Sequence, residues 1–297
     1  METIRWNMSP AEIEQESFRR IEAECDLHRT LSAPHWRVAR RLIHTTADMH
    51  IADTLVFRHD PVTAGLAALR RQAPVFCDSQ MLRSGLSLPK LRTLHPGYGP
   101  EDLHCYITDP DVVERARAEG HTRALCSAEK ARPLLDGGIV LIGNAPLALA
   151  RIARYILEEG VRPALVVGMP VGFVNVVESK ELLRAMPGEH IVALGRKGGS
   201  NVAAAICNAA AAAPWPSPPC TPSWRAPRPS WAAKTTRPCA GAIPPAPVPP
   251  RWPWPAGSPC GRARHRPWCP CCSVTARSAS CPCDRPLRAA WLRWSRT

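Results

Sequence analysis

Among the ten histidines of this 297-residue chain, His44 has the neighbourhood best suited to chemistry. It ends a stretch of helical character, His35 to about Thr46, and Thr45, Thr46 and Asp48 follow it, all small or polar. An imidazole titrates near neutral pH and can give and take a proton within one turnover. The competing reading is a histidine facing the dipole at a helix C-terminus, and spacing alone favours that one. His28, His35, His50, His59, His95, His104, His121 and His190 form no ligand set, so no zinc site is expected from them. Ser17 falls inside a helix, where serine is mildly unfavourable, and the pattern reads it as solvent-facing before it reads it as a ligand contact. Arg123 follows Thr122 at a helix start. A guanidinium there can clamp a carboxylate bidentately, or sit in a surface ion pair worth little.

Asn144 belongs to one of three small-residue turns: Gly143-Asn144-Ala145-Pro146, Gly168-Met169-Pro170-Val171-Gly172 and Gly195-Arg196-Lys197-Gly198-Gly199-Ser200. As phosphate cradles they are poor, since none spells G-x-G-x-x-G or the P-loop. Either they merely close tight turns, or they approach a large flat ligand whose peripheral groups would bond to backbone N–H groups, Asn144 and Arg196. The pattern does not separate these two.

The elements that must hold these residues alternate regularly from Leu103 onward. Strands at 103–107, 138–142, 164–167 and 191–194 interleave with helices at 109–119, after Thr122, and at 146–159, 178–186 and 200–213. Short apolar strands between amphipathic helices predict an α/β domain, a mainly parallel sheet flanked by helices, with ligands at the carboxyl edge of the strands. Upstream, Ser9 caps a first helix with Pro10 at its start, and Ile13, Phe18, Ile21 and Cys25 form a ragged apolar stripe. A helix over 61–72 follows Asp60, then a strand 74–77, a brief helix capped by Asp78, and a Pro/Gly-rich loop over 88–102.

Composition divides the chain near Ala213. Residues 214–297 hold 20 of 33 prolines, 8 of 13 cysteines, 8 of 10 tryptophans and 13 basic residues against the single acid Asp284. Residues 1–213 therefore carry 25 basic and 24 acidic residues, so the net charge of +13 resides almost wholly in the tail and argues for no nucleic-acid partner of the folded part. With Ile243, Val248, Val274, Leu287 and Leu292 its only aliphatics larger than alanine, the tail is expected to be disordered, and its bias suits GC-rich codons read out of frame. Cys269, Cys272, Cys281 and Cys283 make a poor zinc pattern. The five scattered cysteines of residues 1–213 read as reduced thiols of a cytoplasmic protein, and neither a signal peptide nor a membrane span is evident.

SFRRIEAECDL, RRLIHTTADMHIADTLVF, APVFCDSQMLRSGL, GHTRA, VLIGNAPLAL, LVVGMPVGFVNVVESKELL and GRKGGSNVAAAICNA occur in the order seen in the precorrin-8X methylmutase family, and the resemblance covers almost all of residues 4–212. It implies a homodimeric α/β isomerase without cofactor or protein metal site, binding a tetrapyrrole (corrinoid) substrate. The methyl group would move from ring carbon 11 to ring carbon 12. His44 would handle the proton on the ring C nitrogen, Ser17 would contact substrate, and Arg123 and Asn144 would meet its carboxylate side chains. His44-Thr45-Thr46-Ala47-Asp48 is similar to the anaerobic, cobalt-precorrin-8 branch, so any cobalt arrives inside the substrate. The alternatives are the aerobic reaction, precorrin-8X to hydrogenobyrinic acid, and a corrinoid-binding protein without turnover. Leu147 and Ala124 depart from the usual threonine and from the aerobic branch's frequent serine.

Overall fold

The computed structural model describes residues 4–212, and every reading of residues 214–297 lies outside them. The first helix, α1 (Pro10–Glu24), starts as its sequence dictates. The Ser9 hydroxyl accepts from the Glu12 N–H while the Glu12 carboxylate accepts from the Ser9 N–H. Of its apolar stripe, Phe18 and Ile21 are buried, whereas Ile13 is 52% exposed. Helix α2 (Ala33–Thr46) begins two residues earlier than expected because Ser32 caps it and Pro34 suits its first turn. It stops at Ala47, whose φ of 53° is left-handed.

Six strands form one sheet: β1 (Leu55–Arg58), β2 (Val75–Cys77), β3 (Leu103–His104), β4 (Ile139–Ile142), β5 (Leu165–Gly168) and β6 (His190–Ala193). Their order is β1-β6-β5-β4-β2-β3, parallel throughout except that β1 runs antiparallel to β6. The sequence did not announce β1, a four-residue edge strand directly after a 3-10 turn (Met49–Thr54), and the strand expected over 103–107 shrinks to two residues. The expected 88–102 loop contains a helix, α5 (Leu88–Leu94), because Pro89 sits in its first turn, where a missing N–H costs nothing.

The remaining helices are α3 (Pro61–Arg70), α4 (Gln80–Gly85), α6 (Pro110–Glu119), α7 (Arg123–Lys130), α8 (Pro146–Glu158), α9 (Val176–Ala185) and α10 (Ser200–Ala211). Strand side chains alternate between two cores. Val75, Cys77, Ile139, Leu141, Leu165, Val167, Ile191 and Ala193 face α2, α3 and α10, while Phe76, Val140, Ile142, Val166 and Val192 face α7, α8 and α9. Helix α10 is buried nearly all round, which explains its run of alanines: it packs on strands on one side and on α2 on the other. No helix among the described residues is long and apolar enough to cross a membrane.

Candidate active site

The turns after β4, β5 and β6 meet at the carboxyl edge of the parallel strands, and two buried charges hold them there. Asp78, directly after β2, was expected to cap α4. Ser79 does that instead, its hydroxyl accepting from the Leu82 N–H. The wholly buried Asp78 carboxylate accepts from the N–H groups of Gly143 (3.1 Å), Asn144 (2.7 Å) and Ala145 (2.7 Å). Burial pushes this carboxyl up from its ordinary value, and the three N–H donors pull it back down. A protein carboxylate thus occupies the N-terminus of α8, where a nucleotide phosphate would have to sit, which removes the phosphate-cradle reading for this turn. It also engages the backbone N–H groups expected to meet a ligand, leaving the exposed Asn144 side chain to do so. Sequence reasoning missed this role because it depends on β2 lying beside β4, which no local pattern shows.

The turn after β6 is held by Lys180 of α9. Its ammonium is fully buried and donates to the carbonyls of Gly195 (2.9 Å) and Lys197 (2.6 Å), and burial lowers it to about 8. The same turn is fastened to the one after β5, where Gly199 N–H donates to Met169 O and Gly172 N–H to Arg196 O. The Arg196 guanidinium lies 5.3 Å over the exposed Phe173 ring.

His44 reaches this edge from the other core. It lies half-buried in the last turn of α2, with the Phe18 ring meeting it edge-on at 5.3 Å between centroids. Arg41 Nη1 stands 3.4 Å from its Nδ1 and 2.7 Å from Glu14 Oε1, an ion pair that lowers the Glu14 carboxyl. Four residues after His44, Asp48 pairs with Lys197, which holds the Asp48 carboxyl below its usual range and ties the end of α2 to the turn after β6. Antiparallel β1 makes this possible, since Leu55 pairs with Ala193 and the preceding 3-10 turn therefore lies at the carboxyl end of β6.

Ser17 precedes Phe18 in α1, and its hydroxyl donates to Ile13 O at 2.7 Å, so only its oxygen lone pairs remain for a ligand. Arg123 and Asn144 belong to the opposite end of the edge. Arg123 is exposed and has no ion pair among the described residues, so the surface-salt-bridge reading does not describe it. Its neighbours Thr122 and Ala124 line a cavity of about 300 Å³ with Asn144, Leu147, Val174 and Asn175. No hydrogen bond among the described residues joins this pair to Ser17 or His44. Three strand spacings separate β1 from β4, roughly 14 Å, and Val171, Phe173 and Val174 are exposed at that same edge.

Elsewhere, Glu119, His121 and Cys126 bring three donor atoms within 4.8 Å. The Arg115 guanidinium already lies against Glu119 and pairs with Glu129, and a second cation there would meet its charge.

Polar groups at both ends, an apolar middle and a width beyond that of a small metabolite define an α/β enzyme site suited to a broad, acid-bearing ligand. The family profile described as Precorrin-8X methylmutase matches residues 12–213. A cobalt-precorrin-8 methylmutase of Salmonella typhimurium is 41% identical over 212 residues, covering 69% of this chain and 96% of that protein. One of Leptospira interrogans is 40% identical, covering 66% and 90%. The crystal structure of a precorrin-8X methylmutase from Thermus thermophilus, 41% identical, superposes with a TM-score of 0.60 over 67% of this chain and 93% of its own. The chain belongs to the precorrin-8X methylmutase family, isomerases that move a methyl group within their substrate.

Proposed function

We propose that this protein converts cobalt-precorrin-8 to cobyrinic acid by moving a methyl group from ring carbon 11 to ring carbon 12, with His44 handling the proton at the ring C nitrogen. A proton placed on or against that nitrogen withdraws electron density from the macrocycle, easing a 1,5-sigmatropic methyl shift. The observation that carries the reading is the position of His44. A half-buried imidazole stands at the carboxyl edge of the sheet, tied through Asp48 and Lys197 to the glycine turns. The Ser17 oxygen serves as a substrate contact. Arg123, unpaired among the described residues, and the exposed Asn144 amide suit the carboxylate side chains at the far end of the macrocycle.

Homodimer formation, which the family resemblance implies, belongs to the same reading, and sedimentation of the full chain tests it. A cytoplasmic site of action accords with a biosynthetic isomerase. Nothing in the proposed step calls on a protein-bound cofactor or metal.

The test incubates the full chain with cobalt-precorrin-8 under anaerobic conditions and follows the absorption spectrum. The cobyrinic acid chromophore is expected to appear, and His44→Ala is expected to lower turnover by about 10²–10⁴-fold while product affinity is largely kept. An unchanged spectrum with folded protein overturns the reading, full activity in His44→Ala overturns the role of His44, and faster turnover of metal-free precorrin-8X would move the protein to the aerobic reaction.

A further inference from the structure

The environment of His44 distinguishes its two nitrogens. Arg41 precedes it by three residues, so the two side chains share one face of α2. The guanidinium is anchored on its far side by Glu14 of α1 at 2.7 Å and lies 4.8 Å over the Phe18 ring, and that ring in turn meets the imidazole edge-on. It is therefore held in place independently of His44. Arg41 Nη1 approaches Nδ1 of His44 at 3.4 Å, a long contact but within hydrogen-bond range. A guanidinium has only N–H donors and keeps its proton in proteins, so the contact is favourable in one arrangement: Nδ1 presents its lone pair. With the hydrogen on Nδ1, two N–H groups would face one another. Of the two neutral tautomers, Arg41 selects the one with hydrogen on Nε2. Among the described residues Nε2 makes no hydrogen bond.

We infer that Arg41, braced by Glu14, is a positioning residue that fixes His44 as the Nε2–H tautomer, so that Nε2–H donates a hydrogen bond to the macrocycle nitrogen while its proton stays on the imidazole. This rests on the reading of His44 as the residue that meets the substrate, and it names which atom does so and what aims it. Part of it was invisible in sequence: Glu14 and Arg41 stand on different helices, and only the packing of α1 on α2 places the carboxylate behind the guanidinium.

The tautomer can be read without turnover. Long-range proton–nitrogen NMR of the full chain carrying ¹⁵N-histidine, recorded under alkaline conditions with His44→Gln to assign the signal, is expected to show the ring hydrogen of His44 on Nε2. In Arg41→Met the same ring should become a mixture of tautomers or change to Nδ1–H, and kcat should fall by about tenfold or more with KM within about twofold. Arg41→Lys, which can still only donate, should restore part of both signals. Should Arg41→Met fail to fold, Glu14→Gln frees the guanidinium without removing it and should shift the tautomer in the same direction by less. A wild-type ring in the Nδ1–H form, or a tautomer unchanged in the folded Arg41→Met and Glu14→Gln variants, overturns the inference and leaves the role of His44 standing if His44→Ala is inactive. Full turnover by His44→Ala overturns that role whatever the tautomer proves to be.

Discussion

Asp78 shows how a single side chain can govern a turn it does not belong to. Hydrogen bonds to an ionised acceptor contribute about 1.5–3 kcal/mol each, and leaving buried N–H groups unpaired costs a comparable amount. Asp78→Ala strands three of them at the start of α8, so its midpoint in chemical denaturation should correspond to a loss of at least about 3 kcal/mol. Asp78→Asn, which still offers one carbonyl oxygen, should lose less. Equal stability of Asp78→Ala and wild type would mean that the turn is held by something else. At this scale the sequence was uneven. His44 could be singled out from its residue type and its position at a helix end, but the pattern preferred a dipole contact, and only the family motifs raised it above that. Asp78 looked like a helix cap and Lys180 drew no reading of its own, because their partners lie 65 and more residues away for one and on the next strand's turn for the other.

The elements were more legible. Alternation of apolar strands with amphipathic helices from residue 103 onward is a local property, and it returned β4, β5 and β6 as parallel strands with boundaries shifted by about one residue, while the strand expected over 103–107 kept only two residues. What it could not show was β1, whose four residues form a strand only because the edge of β6 is available to them. Close packing between elements has a similar hidden signature. A Cβ on Gly143 would stand 2.5 Å from the Ser200 Cα, backbone against backbone at the start of α10. At Gly120, which ends α6 with a φ of 67°, a Cβ would meet nothing within 4 Å. Gly143→Ala should accordingly lower the melting temperature far more than Gly120→Ala, whose cost is the backbone strain of about 1–2 kcal/mol. Similar losses from both would show that α10 can retreat from β4, and the tight contact would lose its significance.

Across the molecule, charge is divided unevenly along the chain: residues 1–213 are nearly neutral at pH 7, so general repulsion stays small until their 24 carboxylates protonate, and the first losses of stability in mild acid fall to particular buried groups. His190 is one. It is 1% exposed in β6, its Nδ1 lies 3.2 Å from Gly188 O, its Nε2 has no hydrogen-bond partner among the described residues, and burial lowers it to about 4 from an ordinary 6.5. The folded state therefore holds this ring neutral where the unfolded chain would bind a proton, so stability is lost as pH falls from 6.5 toward 4, by about 3 kcal/mol in all. Urea midpoints across that window should fall steeply for wild type and more gently for His190→Leu, and parallel slopes would assign the loss to other groups. The reversed course of β1 has a consequence on the same scale. A chain entering the sheet alongside its neighbours would have started that strand at the opposite rim and left the imidazole on the far side of the domain from the glycine turns. The direction in which four residues are threaded decides whether His44 and the glycine turns share one floor.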